Sequence, residues 1–158
     1  EGDCRAEAAR APSHAALNTL GRLQVPPMRV LLDTNLLIGR EDPDALSPTL
    51  AQLLQLLNEN GVASLVHTAS LKELDGDRDS ARREIIRSKV GSYPVLESPP
   101  VPTAEFNQLL GVTSTNDRAD AELAFSVYRN AVSFLITEDQ ELVHRAARAG
   151  LQERVVST

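Results

Sequence analysis

The stretch Met28-Arg-Val-Leu-Leu-Asp33-Thr-Asn35 decides how this 158-residue chain folds. Its apolar run, Val30 to Leu32, is short and aliphatic, which is typical of a buried strand. A carboxylate follows at once, and burying a charge is costly unless it has a partner. Open α/β sheets place their chemistry at the carboxyl edge, where ligands usually bind, and a strand that ends in Asp fits that pattern. We therefore expect Asp33 to belong to a site.

Strands and helices alternate along the rest of the chain. Apolar runs predict strands, and apolar residues spaced three and four apart, between capping residues and glycines, predict helices. Such alternation predicts an α/β fold, a three-layer α/β/α sandwich around a central, mostly parallel sheet. The predicted strands are 29–32, 62–66, 131–137 and 154–156, the predicted helices are 48–60, 68–74, 80–90, 102–110, 116–130 and 138–149, and 93–101 is a loop with a brief strand.

The composition fits one globular domain in the cytoplasm. The chain is 42% hydrophobic and 24% charged, and its length suits a single sizeable core. Residues 1–27 are rich in Ala, Arg and Pro, and we interpret them as a leader, linker or tag before a domain at 28–158. No apolar stretch approaches the ~20 residues of a membrane span, so no membrane contact is expected. The single cysteine, Cys4, fits a reducing compartment.

The charge balance limits how the chain would hold nucleic acid. A net charge of −6 and a pI near 5.1 argue against binding through bulk charge. Aromatic residues make up 3% of the chain, so extended base stacking is not expected. Divalent ions bound by acidic residues would offset part of the negative charge.

Three further acidic residues fall where they could join Asp33. Glu73 and Asp120 lie on predicted helices, whereas Asp139 follows an apolar strand as Asp33 does. Carboxylates brought together repel one another, so a cluster makes most sense as a site for a hard cation such as Mg²⁺ or Mn²⁺. Taken singly, Asp120 and Asp139 also fit helix caps, and Glu73 fits a solvated helix residue. The ordered set favours a functional site.

These acidic segments resemble the successive motifs of the PIN-domain nucleases. The segments are Val30-Leu-Leu-Asp33-Thr-Asn35, Glu73-Leu, Asn116-Asp-Arg-Ala-Asp120-Ala and Leu135-Ile-Thr-Glu-Asp139, and the resemblance spans about 28–156. It implies a flavodoxin-like sandwich and a Mg²⁺- or Mn²⁺-dependent ribonuclease, a hydrolase whose substrate is RNA. The positions that match the family's catalytic metal ligands are Asp33, Glu73, Asp120 and Asp139, those that match supporting polar residues are Asn35 and Thr137, and Asp117 is an auxiliary candidate.

Basic residues near these motifs are candidates for contact with RNA phosphates. For Arg82, Arg83 and Arg87 an ordinary solvated helix face is an equally good interpretation, and Arg118 could instead neutralise the aspartates on either side of it. The residues are Arg82, Arg83, Arg87 and Arg118.

Two other functions stay open. The acidic surface, and Glu138 before the final motif Asp, favour a PIN-like regulatory domain that binds RNA or a protein partner without cutting. A phosphotransferase with Asp33 as nucleophile is disfavoured, because Asn35 stands where the usual second Asp would act as general acid. Dimers are common among proteins that look like this one, so a homodimer is compatible with the resemblance, as is an additional domain or regulatory protein.

Overall fold

The computed structural model describes residues 27–38, 47–75 and 80–157. The proposed leader therefore lies outside the described residues except for its last position. The elements of the described ranges, in chain order, are β1 (Arg29–Leu32), α1 (Thr34–Ile38), α2 (Pro48–Glu59), β2 (Ala63–Val66), α3 (Thr68–Asp75), α4 (Ser80–Val90), α5 (Ala104–Leu110), α6 (Thr115–Tyr128), β3 (Phe134–Thr137), α7 (Gln140–Arg148) and β4 (Val155–Ser157).

The four strands of the described ranges form one parallel sheet in the order β2-β1-β3-β4. Leu32 of β1 lies in register with Val66 of β2 and with Ile136 of β3. Because β1 has β2 on one side and β3 on the other, the chain winds outward in both directions from β1. Ligands of open α/β sheets bind at such a switch point, in the crevice at the carboxyl ends of the strands. The predicted parallel sheet, with its last strand at an edge, is confirmed.

Two apolar clusters cover the two faces of the sheet. Val30 and Leu32 of β1 pack with buried residues of α1, α2 and α4, whereas Leu31 packs with those of α5, α6 and α7. This alternation follows from the period of two along a strand, and it produces the predicted three-layer α/β/α sandwich. Continued by one residue, it puts Asp33 on the α6 and α7 face.

Helix ends fix where the polar residues near the carboxyl edge lie. Gly111 ends α5 in the left-handed conformation, with φ 72°, which glycine adopts without a steric penalty. The chain then turns into α6, whose N-cap is Ser114, and α7 starts at the N-cap Asp139. Both helices begin at the carboxyl edge, because each runs antiparallel to the strand that it covers.

The structure differs from the predicted elements by more than two residues at two places. Helix α1 was not predicted, because its leucines continue the apolar run of β1. The carbonyl of Asp33 accepts a hydrogen bond from the amide of Leu36, so the chain turns into a helix there. Strand β3 begins at Phe134 rather than 131, because the amides of Ala131 and Val132 turn back to the carbonyl of Ser126.

In the described ranges, no helix is both long enough and apolar enough to cross a membrane.

Candidate functional site

Asp33 lies at the switch point between β1 and β3, at the carboxyl end of β1. Its residue surface is 5% exposed. The hydroxyl of Thr137 donates to Asp33 Oδ2 at 2.7 Å, and the amide of Asn35 donates to Oδ1 at 3.3 Å. The amide of Asp33 in turn donates to the carbonyl of Ile136 at 3.0 Å. Side chain and backbone together therefore hold Asp33 against β3.

Asp139 reaches the same place from the other side of Thr137. Its amide donates to the Thr137 hydroxyl oxygen at 2.9 Å. One carboxylate oxygen, Oδ1, accepts from the amides of Glu141 at 2.8 Å and Leu142 at 3.2 Å, so Asp139 also caps α7. Asp139 is therefore the N-cap of α7, one of the two interpretations that the sequence left open. These capping bonds use Oδ1 and do not involve Oδ2. Thr137 thus links the two aspartates.

Burial raises the pKa of the Asp33 carboxyl above its ordinary value of 3.8. The negative charge of Asp139 raises this pKa further, whereas hydrogen bonds from Thr137 and Asn35 oppose the shift. In the described part of the chain, the charge that acts on Asp33 is therefore another carboxylate. Two carboxylates in such a place are stabilised by a shared cation.

A second acidic corner lies at the first turn of α6. Asp117 Oδ2 accepts from the Thr113 amide at 2.7 Å, the Thr113 hydroxyl at 2.9 Å and the Ser114 amide at 2.9 Å. Its Oδ1 lies 2.7 Å from Nη1 of Arg145. The amide of Thr113, the guanidinium of Arg145 and the amide of Ser114 hold the pKa of Asp117 well below its usual range. Asp117 therefore caps α6 together with Ser114 and forms an ion pair with Arg145.

Arg145 joins this corner to α7. Its Nε donates to Glu141 Oε1 at 3.1 Å, one helical turn earlier. Its Nη1 lies 4.0 Å from Asp120 Oδ2, and the Arg145 side chain is 14% exposed. The carboxylates raise the pKa of Arg145, so the guanidinium stays charged. Sequence analysis did not single out Arg145; the available signal was its spacing of four from Glu141.

The predicted site residues divide into groups. Asp33, Asn35, Thr137 and Asp139 come together at the switch point, whereas Asp117 and Asp120 share Arg145. Glu73 lies in α3, and its side chain is outside the described part of the structure. In the described ranges, no three side chains of His, Cys, Asp or Glu form a group that could hold a metal ion.

His67 is a further polar residue at this edge. It follows β2 as Asp33 follows β1, and it is fully buried. Its Nδ1 accepts from the Ala69 amide at 3.0 Å and lies 4.0 Å from Glu122 Oε2. Burial and the charge of Lys72 lower the pKa of His67 to about 4. The neutral ring then carries its proton on Nε2, which has no hydrogen-bond partner among the described residues.

The predicted basic residues lie in two different layers. Arg83 and Arg87 belong to α4, and Arg87 pairs with Asp75 at an exposed position. Arg118 is exposed on α6, which covers the opposite face of the sheet. Arg82 lies in α4, and its side chain is outside the described part. These arginines therefore do not all share one surface.

The donors at the switch point have the chemistry that Mg²⁺ and Mn²⁺ prefer. Carboxylate oxygens are hard ligands, and a divalent ion would stabilise the ionised form of buried Asp33 beside Asp139. Asp33 Oδ1 accepts a hydrogen bond of 3.3 Å from the amide of Asn35. This oxygen and Asp139 Oδ2 are the candidate ligand atoms for such an ion.

We compared the chain with protein-family models, with curated proteins and with solved structures, and nothing matched it.

Proposed function

We propose that this protein is a PIN-like endoribonuclease that hydrolyses RNA phosphodiester bonds with Mg²⁺ or Mn²⁺. The observation that carries the proposal is the burial of Asp33 at the switch point, where the second carboxylate of Asp139 acts on it. A protein gains nothing in stability from placing these two charges together, so a functional cation is the better explanation. The proposed ligands are Asp33, Glu73, Asp120 and Asp139.

Each residue at the switch point has a definite task in this proposal. Thr137 donates to Asp33 Oδ2 and so orients the other oxygen, Oδ1, for the cation. Asp139 is fixed by its capping bonds to α7, which leaves its Oδ2 for the same ion. A divalent cation held there supplies two things, stabilisation of charge on the phosphodiester and a lower pKa for a water molecule. No side-chain nucleophile is needed.

RNA as substrate rests on the resemblance to PIN-domain nucleases together with the position of Arg118. This arginine is exposed in the first turns of α6, the helix that begins at the carboxyl edge and carries Asp120. A phosphate group that approaches the edge would meet a positive charge there. The net charge of −6 makes the bound cation part of RNA recognition, since it offsets repulsion. The reaction is proposed for the cytoplasm, in keeping with the single cysteine.

The test is a cleavage assay on the purified protein with a panel of labelled single-stranded RNAs and Mg²⁺ or Mn²⁺. We expect discrete cuts that disappear with EDTA and in Asp33→Asn. Glu153→Gln, an exposed change between α7 and β4, is the matched control and should cut like the wild type. Cleavage by Asp33→Asn at the wild-type rate would contradict the assigned site.

A non-cutting outcome would favour the alternative, a regulatory domain that binds RNA or a protein partner. The distinguishing result is saturable RNA binding, measured by fluorescence anisotropy, with no cleavage under either metal. Glu138 beside the site motivates this alternative, because its charge lies where RNA has to approach.

A further inference from the structure

A positively charged side chain, Arg145 of α7, lies beside Asp117 and Asp120 of α6. The guanidinium of Arg145 lies 2.7 Å from Asp117 and 4.0 Å from Asp120 through the same nitrogen, Nη1. Its Nε is bound to Glu141 at 3.1 Å. The side chain is mostly buried, with 14% of its surface exposed, so its charge is screened less by solvent than that of a surface arginine.

The two aspartates on α6 use this cation differently. Asp117 contacts Arg145 closely and also receives three hydrogen bonds from Thr113 and Ser114. Asp120 lies one turn later on the same helix face, and its Oδ2 is beyond hydrogen-bond distance from Nη1. At this distance Arg145 acts on Asp120 through its charge rather than through a hydrogen bond.

We infer that Arg145 is a positioning residue whose resident charge, held between Asp117 and Asp120, limits how tightly the site binds its divalent cation. The inference rests on the proposed function, in which Asp120 is a ligand. A guanidinium and a divalent ion that share one carboxylate repel each other. The repulsion weakens the binding of the divalent ion, which can dissociate from the protein. Arg145 cannot leave, because Asp117 and Glu141 hold it. The chain would thus release its metal more easily than its acidic residues alone would allow.

The test is a titration of the purified protein with Mn²⁺ alone, followed by the electron paramagnetic resonance of the free ion. Arg145→Gln removes the charge and keeps much of the side-chain length. We expect it to bind Mn²⁺ about fivefold more tightly than the wild type, the size expected for charges several ångströms apart in a solvated site. Arg145→Lys keeps the charge and should stay within about twofold of the wild type.

Arg148→Gln is the matched control, because it removes the same charge from the same helix. Arg148 donates to the Leu110 carbonyl at the far end of α5, so its loss should leave Mn²⁺ affinity unchanged. Circular dichroism verifies that each variant is folded. Should Arg145→Gln not fold, Glu141→Gln serves instead: Glu141 is largely exposed, and its loss lets the guanidinium turn toward Asp120, which should weaken Mn²⁺ binding about threefold.

The outcomes separate this inference from the proposed function. Tighter binding in Arg145→Gln, restored to the wild-type value in Arg145→Lys, supports the role of the charge. Equal Mn²⁺ affinity in the wild type and Arg145→Gln, or equal tightening in Arg145→Lys, overturns the inference alone. A wild type that binds no Mn²⁺ at millimolar concentration overturns the proposed function and the inference with it.

Discussion

Asp33 and Asp117 are both buried aspartates at the carboxyl edge of the sheet, yet their surroundings act on them in opposite directions. Asp117 receives three hydrogen bonds and the charge of Arg145, and its pKa is lowered. Asp33 is more deeply buried and lies near Asp139, and its pKa is raised. The local contacts of Asp117 stabilise its negative charge, whereas those of Asp33 do not offset the cost of burial.

Under the proposed function, this difference separates a structural carboxylate from a functional one. A capping aspartate stabilises its helix because the amides at the first turn need an acceptor. A buried aspartate beside a second carboxylate costs free energy unless a cation is bound. Proteins retain such unfavourable groups mainly where the group has a task. We therefore propose Asp33 as a metal ligand and interpret Asp117 as a helix cap.

The largest expected effect separates the two aspartates by activity. Asp33→Asn should lower the rate of metal-dependent RNA cleavage at least about 100-fold, because even residues that only support a metal ligand contribute 10–100-fold. Asp117→Asn should keep most of the activity of each folded molecule, since Asp117 is engaged as a cap. The measurement is single-turnover cleavage, corrected for the folded fraction. Equal losses of activity in both variants would contradict the distinction between Asp33 and Asp117.

Thr137 links Asp33 to Asp139, so its hydroxyl should matter next. Thr137→Val removes the donor to Asp33 and the acceptor for the Asp139 amide while the shape is nearly kept. We expect about a tenfold loss of cleavage rate, the scale typical of a hydrogen bond that orients a ligand. Thr137→Ser restores the hydroxyl and should recover most of the rate. A fully active valine variant would show that this link is dispensable.

The same substitution should change stability with opposite signs at the two sites. Without metal at neutral pH, Asp33→Asn removes a poorly compensated buried charge and should raise Tm by a few degrees; in a chain of this size about 1 kcal/mol corresponds to about 2–4 °C. Asp117→Asn leaves Arg145 without its closest partner and should lower Tm. Differential scanning calorimetry in EDTA measures both. A lower Tm for Asp33→Asn would mean that the folded protein stabilises the charge of Asp33.

The two stability differences should both shrink in acid. The folded-state pKa of Asp33 is raised, so the penalty that its charge imposes is present at neutral pH and vanishes below the ordinary pKa of 3.8. The folded-state pKa of Asp117 is lowered, so its contribution is complete above that ordinary value and declines as pH falls below it. Urea unfolding from pH 7 to pH 3 should show both variants approach the wild type from opposite sides. Differences that do not depend on pH would exclude the assigned charges as their cause.

Much of the fold could be predicted because several local signals agree. The apolar runs, glycines and capping residues give the strands β1, β2 and β4 and most helices close to their observed bounds. Helix α1 could not be predicted, since its leucines fit either a strand or a helix when read alone. The start of β3 depends on a turn that uses the carbonyl of Ser126, a contact that apolar periodicity does not reveal.

The sequence predicted that Asp33 and Asp139 lie near each other, but it did not predict how the contacts of Asp117 and Asp120 differ. Strand ends placed Asp33 and Asp139 together, because parallel strands carry their carboxyl ends to one edge. Asp117 and Asp120 are three residues apart, which places them on one helix face, and both lie near Arg145. Asp117 is the cap because it accepts hydrogen bonds from Thr113 and Ser114. These bonds depend on the turn that precedes α6, which residue spacing does not predict. The same holds for Arg145, which charge patterning alone does not connect to α6.

The most direct test of a divalent-cation site at the switch point is a Mn²⁺ titration of the wild type, Asp33→Asn and Asp117→Asn, measured by isothermal titration calorimetry. If the switch point is a divalent-cation site, the wild type and Asp117→Asn bind Mn²⁺ saturably, and Asp33→Asn loses that binding. If Asp33→Asn binds Mn²⁺ as tightly as the wild type, or if the wild type binds none, the buried pair of Asp33 and Asp139 is not a metal site.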